Sequence, residues 1–584
     1  MTKQINLKIN GNPVTVEQGT TILDAAKKVG VKIPTLCYHP DLTSWAACGI
    51  CIVKAENSPK TFRACATPVE EGMSIVTHDA EIVEIRKTVL ELILSNHPSD
   101  CLQCLRSGNC ELQQMAVDLG LRNVPYKRSM SATAQDNSSP SIVFNPQKCI
   151  LCGRCVKVCQ DLQNVYALEF IGRGHRIQAT TPAELPLNDT ACVKCGQCAA
   201  HCPVGAIYEN KTATVKVEAA LQDPEKFTLV HFAPSVRVAI GEIFGCRPGE
   251  LTTGKLYAAL RRLGFDAVLD TNFSADMTIM EEATEFVERF TQQSKLPLFT
   301  SCCPAWVDYA EKNHPEILPH LSTAKSPQAM FGSIAKTYFP EQKKLNPAKL
   351  FVVSVMPCTA KKYELERSAE MWSSGYQDND CSITTRELGE MLKAAGVDFA
   401  NLPEEQGDAL MSDYTGGGTI FGVTGGVMEA ALRTGYNFIT GADLGDVNFK
   451  DVRGLDGVKE AAVDIQGNKI NLAIVHGLGN VEKVLTKINE AKAKGEAMPY
   501  HFVEVMACRG GCIGGGGQPY GTTDAVRQAR SKGLYNDDER SVRRCSHQNP
   551  EIQKLYKDFL SQPLSKKSHH LLHTSYTARS LYNR

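Results

Sequence analysis

The chain has 584 residues, 43% of them hydrophobic, and a formal net charge of −1. Single cores rarely grow beyond about 250–300 residues, so the length predicts several domains. The balanced charge gives no field that favours nucleic acid, and the sequence contains no apolar run long enough to predict membrane insertion. Because no apolar signal segment follows Met1, we expect the cytoplasm, a reducing compartment where 23 cysteines are metal ligands rather than disulfides.

Residues 1–80 combine strand patterns with a four-cysteine motif. Alternating apolar residues at Ile5 to Ile9 and Val14 to Val16 predict a hairpin, and Thr21 to Val29 has a helical pattern. The cysteines that follow are Cys37, Cys48, Cys51 and Cys65. One close pair with a distant cysteine on each side is typical of a [2Fe–2S] centre, whereas a zinc ribbon has two close pairs. The long first gap resembles the ferredoxin-like domain shared by the largest hydrophilic subunit of complex I and by certain hydrogenases.

Residues 81–125 contain a second group of ligand residues. A helical stretch from Ala80 to Leu94 precedes them. They are His97, Cys101, Cys104 and Cys110. Three cysteines and one histidine fit a structural zinc equally well on spacing alone. Their position between other iron–sulfur motifs favours a [4Fe–4S] cluster with one imidazole ligand. The Ser-rich stretch Met130 to Ser141 is typical of a linker.

Residues 142–210 contain an internal duplication of four cysteines. The first copy is Cys149, Cys152, Cys155 and Cys159, and the second is Cys192, Cys195, Cys198 and Cys202. This spacing is typical of ferredoxins with two [4Fe–4S] clusters, in which the fourth cysteine of each run binds the other cluster. We therefore expect Cys202 to join the first three cysteines of the first run, and Cys159 to join the first three of the second.

From residue 211 to 520 the composition is that of an α/β domain. Apolar runs that predict strands alternate with helical patterns, among them Ala275 to Thr291 and Thr385 to Ala395. The predicted strands are Thr228 to Phe232, Ala267 to Leu269, Leu296 to Phe299, Lys349 to Val355, Asn471 to Val475 and Phe502 to Met506. This alternation favours parallel sheets flanked by helices. The polar, basic stretch 521–584 predicts a solvated tail that wraps the domain.

Three of the predicted strands end at cysteines. They lead into Thr300-Ser301-Cys302-Cys303-Pro304, into Pro357-Cys358, and into Ala507-Cys508-Arg509-Gly510-Gly511-Cys512. Because ligand sites in open α/β sheets lie outside the carboxyl ends of the strands, these loops could surround one metal centre. Cys302 would then be a free thiol beside it, although a lone cysteine is more often a buried small hydrophobe. The runs Gly416 to Gly418 and Gly514 to Gly517 lack the lysine of a phosphate loop and predict close backbone approach.

The three loops resemble the signature motifs of a known family, the [FeFe] hydrogenases. The similar segments are TSCCP at Thr300–Pro304, MPC at Met356–Cys358 and MACRGGC at Met506–Cys512. The cluster order is similar to that of the larger clostridial-type members over essentially the whole chain. The resemblance implies reversible H2 oxidation at an H-cluster, which is a [4Fe–4S] cubane joined to a diiron unit with CO, cyanide and azadithiolate. The cubane ligands would be Cys303, Cys358, Cys508 and Cys512, with Cys512 as the bridge.

The resemblance also implies a proton path and residues around the diiron unit. Cys302 would be the first proton carrier, and Glu282, Ser322 and Glu285 would continue the path to the surface. On their spacing alone, Glu282, Glu285 and Arg289 are a solvated helical stripe with an ion pair. Residues that would bind the cyanide and CO ligands are Ser235, Gln328, Met356, Lys361 and Met506.

The implied fold is multidomain α+β and α/β: ferredoxin-like iron–sulfur domains followed by a two-lobed α/β domain with parallel sheets. The implied electron partner is ferredoxin or a flavin-containing, NAD(P)-linked subunit, because the chain has no dinucleotide fingerprint of its own. Residues 521–584 resemble a small subunit that other members encode separately. Two other functions stay open, a redox or H2 sensor of the same family and a complex-I-like electron conduit without the diiron unit. Cys246, Cys381 and Cys545 have no predicted ligand role, and we expect Cys381 to be a packing residue.

Overall fold

The computed structural model describes residues 3–127 and 133–582. Its first unit is a five-stranded sheet in the order β2-β1-β5-β3-β4. The elements are β1 Gln4–Ile9, β2 Asn12–Glu17, α1 Ile22–Lys28, β3 Ile52–Ala55, β4 Thr61–Arg63 and β5 Ser74–Val76. Ile5, Leu7 and Ile9 alternate with exposed residues and pack against α1, so the period of two places one sheet face in a small core. The predicted hairpin and helix are confirmed.

The following segment contains short elements around the cysteine runs. They are α2 Ala80–Ser95, α3 Glu111–Asp118, β6 Ile142–Phe144, α4 Arg154–Lys157, β7 Glu169–Ile171, β8 Gln178–Thr180, α5 Gln197–His201 and β9 Ile207–Glu209. The duplication is visible in the backbone, because α4 and α5 each follow a left-handed glycine, Gly153 and Gly196. The predicted linker lies partly outside the described residues. From residue 133 it packs against β6, where Asp136 bridges to Phe144.

Two four-stranded sheets form the two lobes of the α/β domain. The first has the order β11-β10-β13-β14 and is parallel throughout. Its elements are α6 Thr212–Gln222, β10 Phe227–Phe232, α7 Thr253–Arg262, β11 Ala267–Asp270, α8 Thr271–Thr291, β12 Leu298–Phe299, α9 Pro304–Asn313, α10 Pro327–Lys336, α11 Tyr338–Lys343, β13 Leu350–Met356, α12 Ala360–Glu364, β14 Cys381–Thr384 and α13 Thr385–Ala394. Strand β12 belongs to the other lobe.

The second sheet has the order β12-β17-β16-β15, with β15 antiparallel at the edge. The remaining elements of this lobe are α14 Gly416–Ile420, α15 Gly426–Thr440, β15 Val458–Ile465, β16 Asn468–His476, α16 Leu478–Lys494 and β17 Phe502–Met506. The predicted two-lobed, parallel architecture is confirmed. Strands β14 and β15 were not predicted, because β14 is only four residues long and β15 is a largely exposed edge strand.

Helix α8 lies between the lobes and is longer than predicted. It begins at Thr271 rather than Ala275, because the Asp270 side chain accepts a hydrogen bond from Asn272 N at the end of β11. Its first turn contains Thr271, Asn272 and Ser274, which are polar yet fully buried. Polar residues there give no apolar periodicity, so the sequence pattern starts one turn late.

The predicted solvated tail is wrong. Residues after 521 form α17 Asp524–Arg540, α18 Pro550–Leu555 and α19 Lys566–Leu572, which pack onto the lobes. Arg527, Arg530 and Asp538 are buried although charged, because each is in an ion pair. Within the described part of the chain, the helices are too short or too polar to cross a membrane.

Candidate active site

Four cysteines meet where the strands of both lobes end. Cys303 follows β12 and caps α9, and Cys358 follows β13. Cys508 and Cys512 follow β17 on a turn in which Gly510 and Gly511 have φ values of 78° and 87°. Burial and the nearby charge of Cys303 raise the pKa of Cys358 and of Cys512 to about 12. Several thiolates this close together need a compensating cation, which fits the thiolate set of an iron–sulfur cubane.

An apolar cavity of about 60 Å³ opens beside these cysteines. Among the described residues its lining includes Cys302, Cys358 and Cys512 together with Ser235, Gln328, Met356 and Lys361. Met506 lies instead behind Gly511, where an added Cβ would meet its sulfur at 2.6 Å. The cavity therefore brings together Cys302, Lys361 and most of the other residues that the sequence resemblance places around a diiron unit.

Lys361 is held at the cavity by a carboxylate that sequence reasoning missed. Its Nζ donates to Glu364 Oε2 at 2.8 Å and to the Cys302 carbonyl at 3.1 Å. Burial lowers the pKa of Lys361, but Glu364 outweighs that effect and raises it. Gln328 Nε2 donates to the same carboxylate at 2.9 Å. The lysine is therefore cationic and fixed in direction, as a donor to a bound anion requires.

Ser235 and Gln518 form a second group of hydrogen-bonding residues at the cavity. Gln518 Nε2 lies 3.2 Å from both Ser235 Oγ and the Cys512 carbonyl. Gln518 was also missed, although it directly follows the run Gly514 to Gly517. The run itself approaches other backbone closely, because a Cβ on Gly516 would lie 2.1 Å from the Cys195 carbonyl. Arg386 donates to the carbonyls of Gly516 and Gln518 and so fixes the position of this backbone segment.

The proposed proton carriers lie on α8 and on the loop after α9. Glu282 is buried, and burial followed by the charge of Glu285 raises its pKa to about 8. Burial chiefly raises the pKa of the Cys302 thiol, and Glu282 raises it further when ionised. Ser322 Oγ donates to Glu285 Oε2 at 2.9 Å, and Arg289 binds Glu285 Oε1 at 2.5 Å. Ser322 therefore stands between the Glu282 and Glu285 carboxyls, and the stripe is buried rather than solvated.

The cysteines of the first domain lie together. Cys51 and Cys65 have their sulfurs 3.4 Å apart, and Cys37 interacts with both Cys48 and Cys65. In the second group, His97 is buried with Nδ1 2.8 Å from the Pro98 carbonyl, an arrangement that directs Nε2 away from it. Cys104 and Cys110 interact, whereas Cys101 is exposed. Cys104 also borders the ferredoxin segment, since a Cβ at Gly205 would lie 2.7 Å from its sulfur.

The two ferredoxin runs exchange their fourth cysteines. After burial, the charge that most raises the pKa of Cys152 is that of Cys202. The corresponding charge on Cys159, after burial, is that of Cys192. Cys195 interacts both with Cys198 of its own run and with Cys508 of the active site. The second cysteine set therefore adjoins the catalytic cysteines directly.

The three other cysteines lie outside these groups. Cys381 is buried in β14, with its sulfur 3.6 Å from the Ala213 carbonyl. Cys545 is buried beside the Arg433 and Asp538 ion pair, and Cys246 packs on Gly241. Their surroundings are those of packing residues.

The site combines a set of sulfur ligands for a metal centre, an apolar cavity, a fixed lysine and buried carboxyls. These features define a redox metalloenzyme that handles protons. Similarity to known domains covers most of the chain. The matches are the 2Fe-2S iron-sulfur cluster binding domain at residues 2–80, the NADH-ubiquinone oxidoreductase-G iron-sulfur binding region at 86–125, the 4Fe-4S dicluster domain at 148–206, the iron only hydrogenase large subunit, C-terminal domain, at 226–516, and the iron hydrogenase small subunit at 524–579.

Named relatives agree with these domains. The NADP-reducing hydrogenase subunit HndD of Solidesulfovibrio fructosivorans is 46% identical, across 98% of this chain and 99% of its own. Iron hydrogenase 1 of Clostridium pasteurianum is 42% identical, across 97% and 99%. The solved structure of apo [FeFe]-hydrogenase HydA1 from Chlamydomonas reinhardtii has 40% identity and a TM-score of 0.56, across 63% of this chain and 99% of its own. The chain belongs to the iron-only, or [FeFe], hydrogenase family. It is a hydrogenase that interconverts H2 with protons and electrons and relays the electrons over iron–sulfur clusters.

Proposed function

We propose that Cys303, Cys358, Cys508 and Cys512 hold the cubane of the H-cluster and that the adjoining cavity takes its diiron unit. When bound, the diiron unit supplies the iron at which H2 is formed or split. The observation that carries this proposal is the meeting of four cysteines, two of which, Cys358 and Cys512, line one apolar cavity together with Cys302 and Lys361. Lys361 and Ser235 offer donors to cyanide, while Met356 and Phe421 exclude water from the cavity.

The chain's own residues would then move the proton. Cys302 stands at the cavity beside Glu282, and Ser322 links Glu282 to Glu285. A carboxyl whose pKa is about 8 can both accept and release a proton near neutral pH, as a relay requires. Arg289 forms an ion pair with Glu285 at 2.5 Å and marks the outer end of this path.

The remaining cysteines would hold one [2Fe–2S] and three [4Fe–4S] clusters. The two N-terminal groups both approach the first ferredoxin set: Cys104 borders Gly205, and the rings of His39 and His201 lie 4.4 Å apart beside Cys37 and Cys202. Electrons would pass from either group to the first set, then to the second set, and then to the active site through the contact of Cys195 with Cys508.

For the electron partner we propose an NAD(P)-linked complex with a flavin-containing subunit. Support comes from the NADP-reducing hydrogenase subunit, which matches this chain end to end. Cys101 and its neighbour Leu102 are exposed, so the second cysteine group lies at the surface, where a partner could reach it. Ferredoxin is the second candidate. The cytoplasmic location stays a prediction from the cysteine usage.

The test of the site uses anaerobically matured protein. We expect H2 evolution with reduced viologen and infrared bands from metal-bound CO and cyanide, both lost in Cys358→Ser. Cys381→Ser is the matched control, because Cys381 is equally buried but lies outside the cavity. Bands that survive Cys358→Ser would overturn the ligand assignment. Reduction of NADP⁺ by H2 with co-purified subunits, compared with reduction of ferredoxin by the isolated chain, decides the partner.

A further inference from the structure

The Thr323 hydroxyl lies between the outer end of the carboxylate series and a histidine of the C-terminal tail. Its Oγ1 is 3.2 Å from Glu285 Oε1 and 2.8 Å from His573 Nδ1. A hydroxyl has one hydrogen, so it can donate to only one of these partners and must accept from the other. The hydrogen bonds of Glu285 and His573 are therefore linked through this single hydrogen.

The other nitrogen of His573 faces a buried carboxylate. His573 Nε2 is 3.1 Å from Glu281 Oε2, and Glu281 also accepts from Tyr556 Oη and from Leu564 N. Burial raises the pKa of Glu281, but the hydrogen bond and charge of His573 outweigh that effect and lower it. The Glu281 carboxylate is thus within hydrogen-bond distance of the His573 nitrogen that faces away from Thr323.

Backbone hydrogen bonds hold the tail against the Ser322 to Lys325 segment. Lys325 N donates to Leu572 O, and Thr574 N donates to Thr323 O, both at 2.8 Å. Thr323 N also donates to Glu285 Oε2 at 3.1 Å, so the threonine is fixed at the carboxylate by its backbone as well. The hydroxyl therefore keeps both partners without any change of rotamer.

We infer that His573 takes a proton from Glu285 through the Thr323 hydroxyl and so gives the proton path a second outlet. Protonated Glu285 gives its proton to Thr323 Oγ1 while the threonine gives its own to His573 Nδ1. The products are a Glu285 carboxylate and an imidazolium, and the number of protons and the total charge are unchanged. The inference rests on the proposed role of Glu285 as a proton carrier.

The charges around His573 favour this transfer. Each product charge has an oppositely charged partner beside it: Arg289 lies 2.5 Å from Glu285, and Glu281 lies 3.1 Å from His573. The remaining titratable group that faces His573 is His569, whose ring centre is 4.2 Å away and whose side chain is exposed. Burial and then the charge of His573 lower the pKa of His569, so the added proton stays on His573 rather than on the neighbouring ring. The exposed His569 ring marks where the outlet approaches solvent.

The test compares variants of the matured enzyme. Thr323→Val removes the hydroxyl but keeps the backbone donor to Glu285, and His573→Gln keeps an amide at Glu281 but cannot carry a proton. We expect each variant to lower H2 turnover by about tenfold. This loss is smaller than is usual for a proton-transfer group, because the route past Arg289 remains open. The solvent isotope effect should increase, and the double variant should be no slower than the singles. Thr323→Ser should restore most of the rate, and His570→Gln, at an exposed residue, is the control.

Infrared bands of CO and cyanide report whether the cluster is intact in each variant. Glu285→Gln distinguishes a failure of the proposed proton path from a failure of the tail outlet alone. If Glu285→Gln turns over normally, the proposed proton path fails. If Glu285→Gln is inactive while Thr323→Val and His573→Gln keep full rates, only the tail outlet is overturned. Losses that multiply in the double variant would also overturn it. If His573→Gln loses its infrared bands, Thr323→Val alone decides.

Discussion

Replacing Glu282 by glutamine should change how stability depends on pH. The folded protein holds a proton on Glu282 up to pH of about 8, whereas an exposed glutamate has a pKa of 4.5. Because the folded state binds the extra proton in this window, wild-type stability falls as pH rises from 4.5 to 8. The interval of about 3.5 units, at about 1.4 kcal/mol each, corresponds to about 5 kcal/mol. Glutamine has no proton to lose, so Glu282→Gln should lack this fall.

The assay is thermal unfolding of anaerobic wild type and Glu282→Gln between pH 5 and pH 9. At about 2 °C per kcal/mol, the variant should gain about 10 °C relative to wild type across that range. Glu288→Gln is the matched control, since it removes an exposed carboxylate from the same helix. Parallel curves for wild type and Glu282→Gln would refute the conclusion that burial and Glu285 keep this carboxyl protonated.

Three further outcomes follow from the site and its surroundings. Arg527→Met should destabilise the contact of the first domain by about 3 kcal/mol in thermal unfolding, because it removes the arginine paired with the buried Asp41 carboxylate and leaves only His39 and His201 beside it. Adding Asp41→Asn should recover much of the loss, and an unchanged midpoint would contradict this. Gly516→Ala should disturb the second ferredoxin cluster in electron paramagnetic resonance, since its Cβ would meet the Cys195 carbonyl, whereas Gly435→Ala has open space and should not. Cys302→Ala should keep the infrared bands of the cluster and lose most H2 activity, and wild-type rates would show that this thiol carries no proton.

The strands that lead to the active site could be predicted because both faces of each are buried. Phe502 to Met506 and Leu350 to Met356 are nearly continuous apolar runs, and each ends abruptly at cysteine, so strand and ligand loop are visible together. Strand β12 is shorter than predicted, since only Leu298 and Phe299 pair with β17. Cysteine spacing likewise indicates the clusters without any knowledge of packing.

The polar residues that support the site could not be predicted in the same way. Glu364 and Gln518 are ordinary helix and loop residues by pattern, and only the fold shows that one holds Lys361 and the other binds Ser235. The prediction of a solvated tail was wrong for the same reason, because charged residues of the tail are buried in ion pairs. Composition predicts exposure for such residues, and tertiary pairing reverses it.

The tail that covers α8 also sets an order of assembly during synthesis. His573 leaves the ribosome 292 residues after Glu281, its partner on the helix. At 5–20 residues per second this separation is roughly 15–60 s, during which the outer side of α8 stays uncovered. All the cysteines of the catalytic centre have emerged by then, since Cys512 precedes α17. A chain halted before α19 would therefore contain all the proposed iron ligands but would lack His573, the proposed proton acceptor.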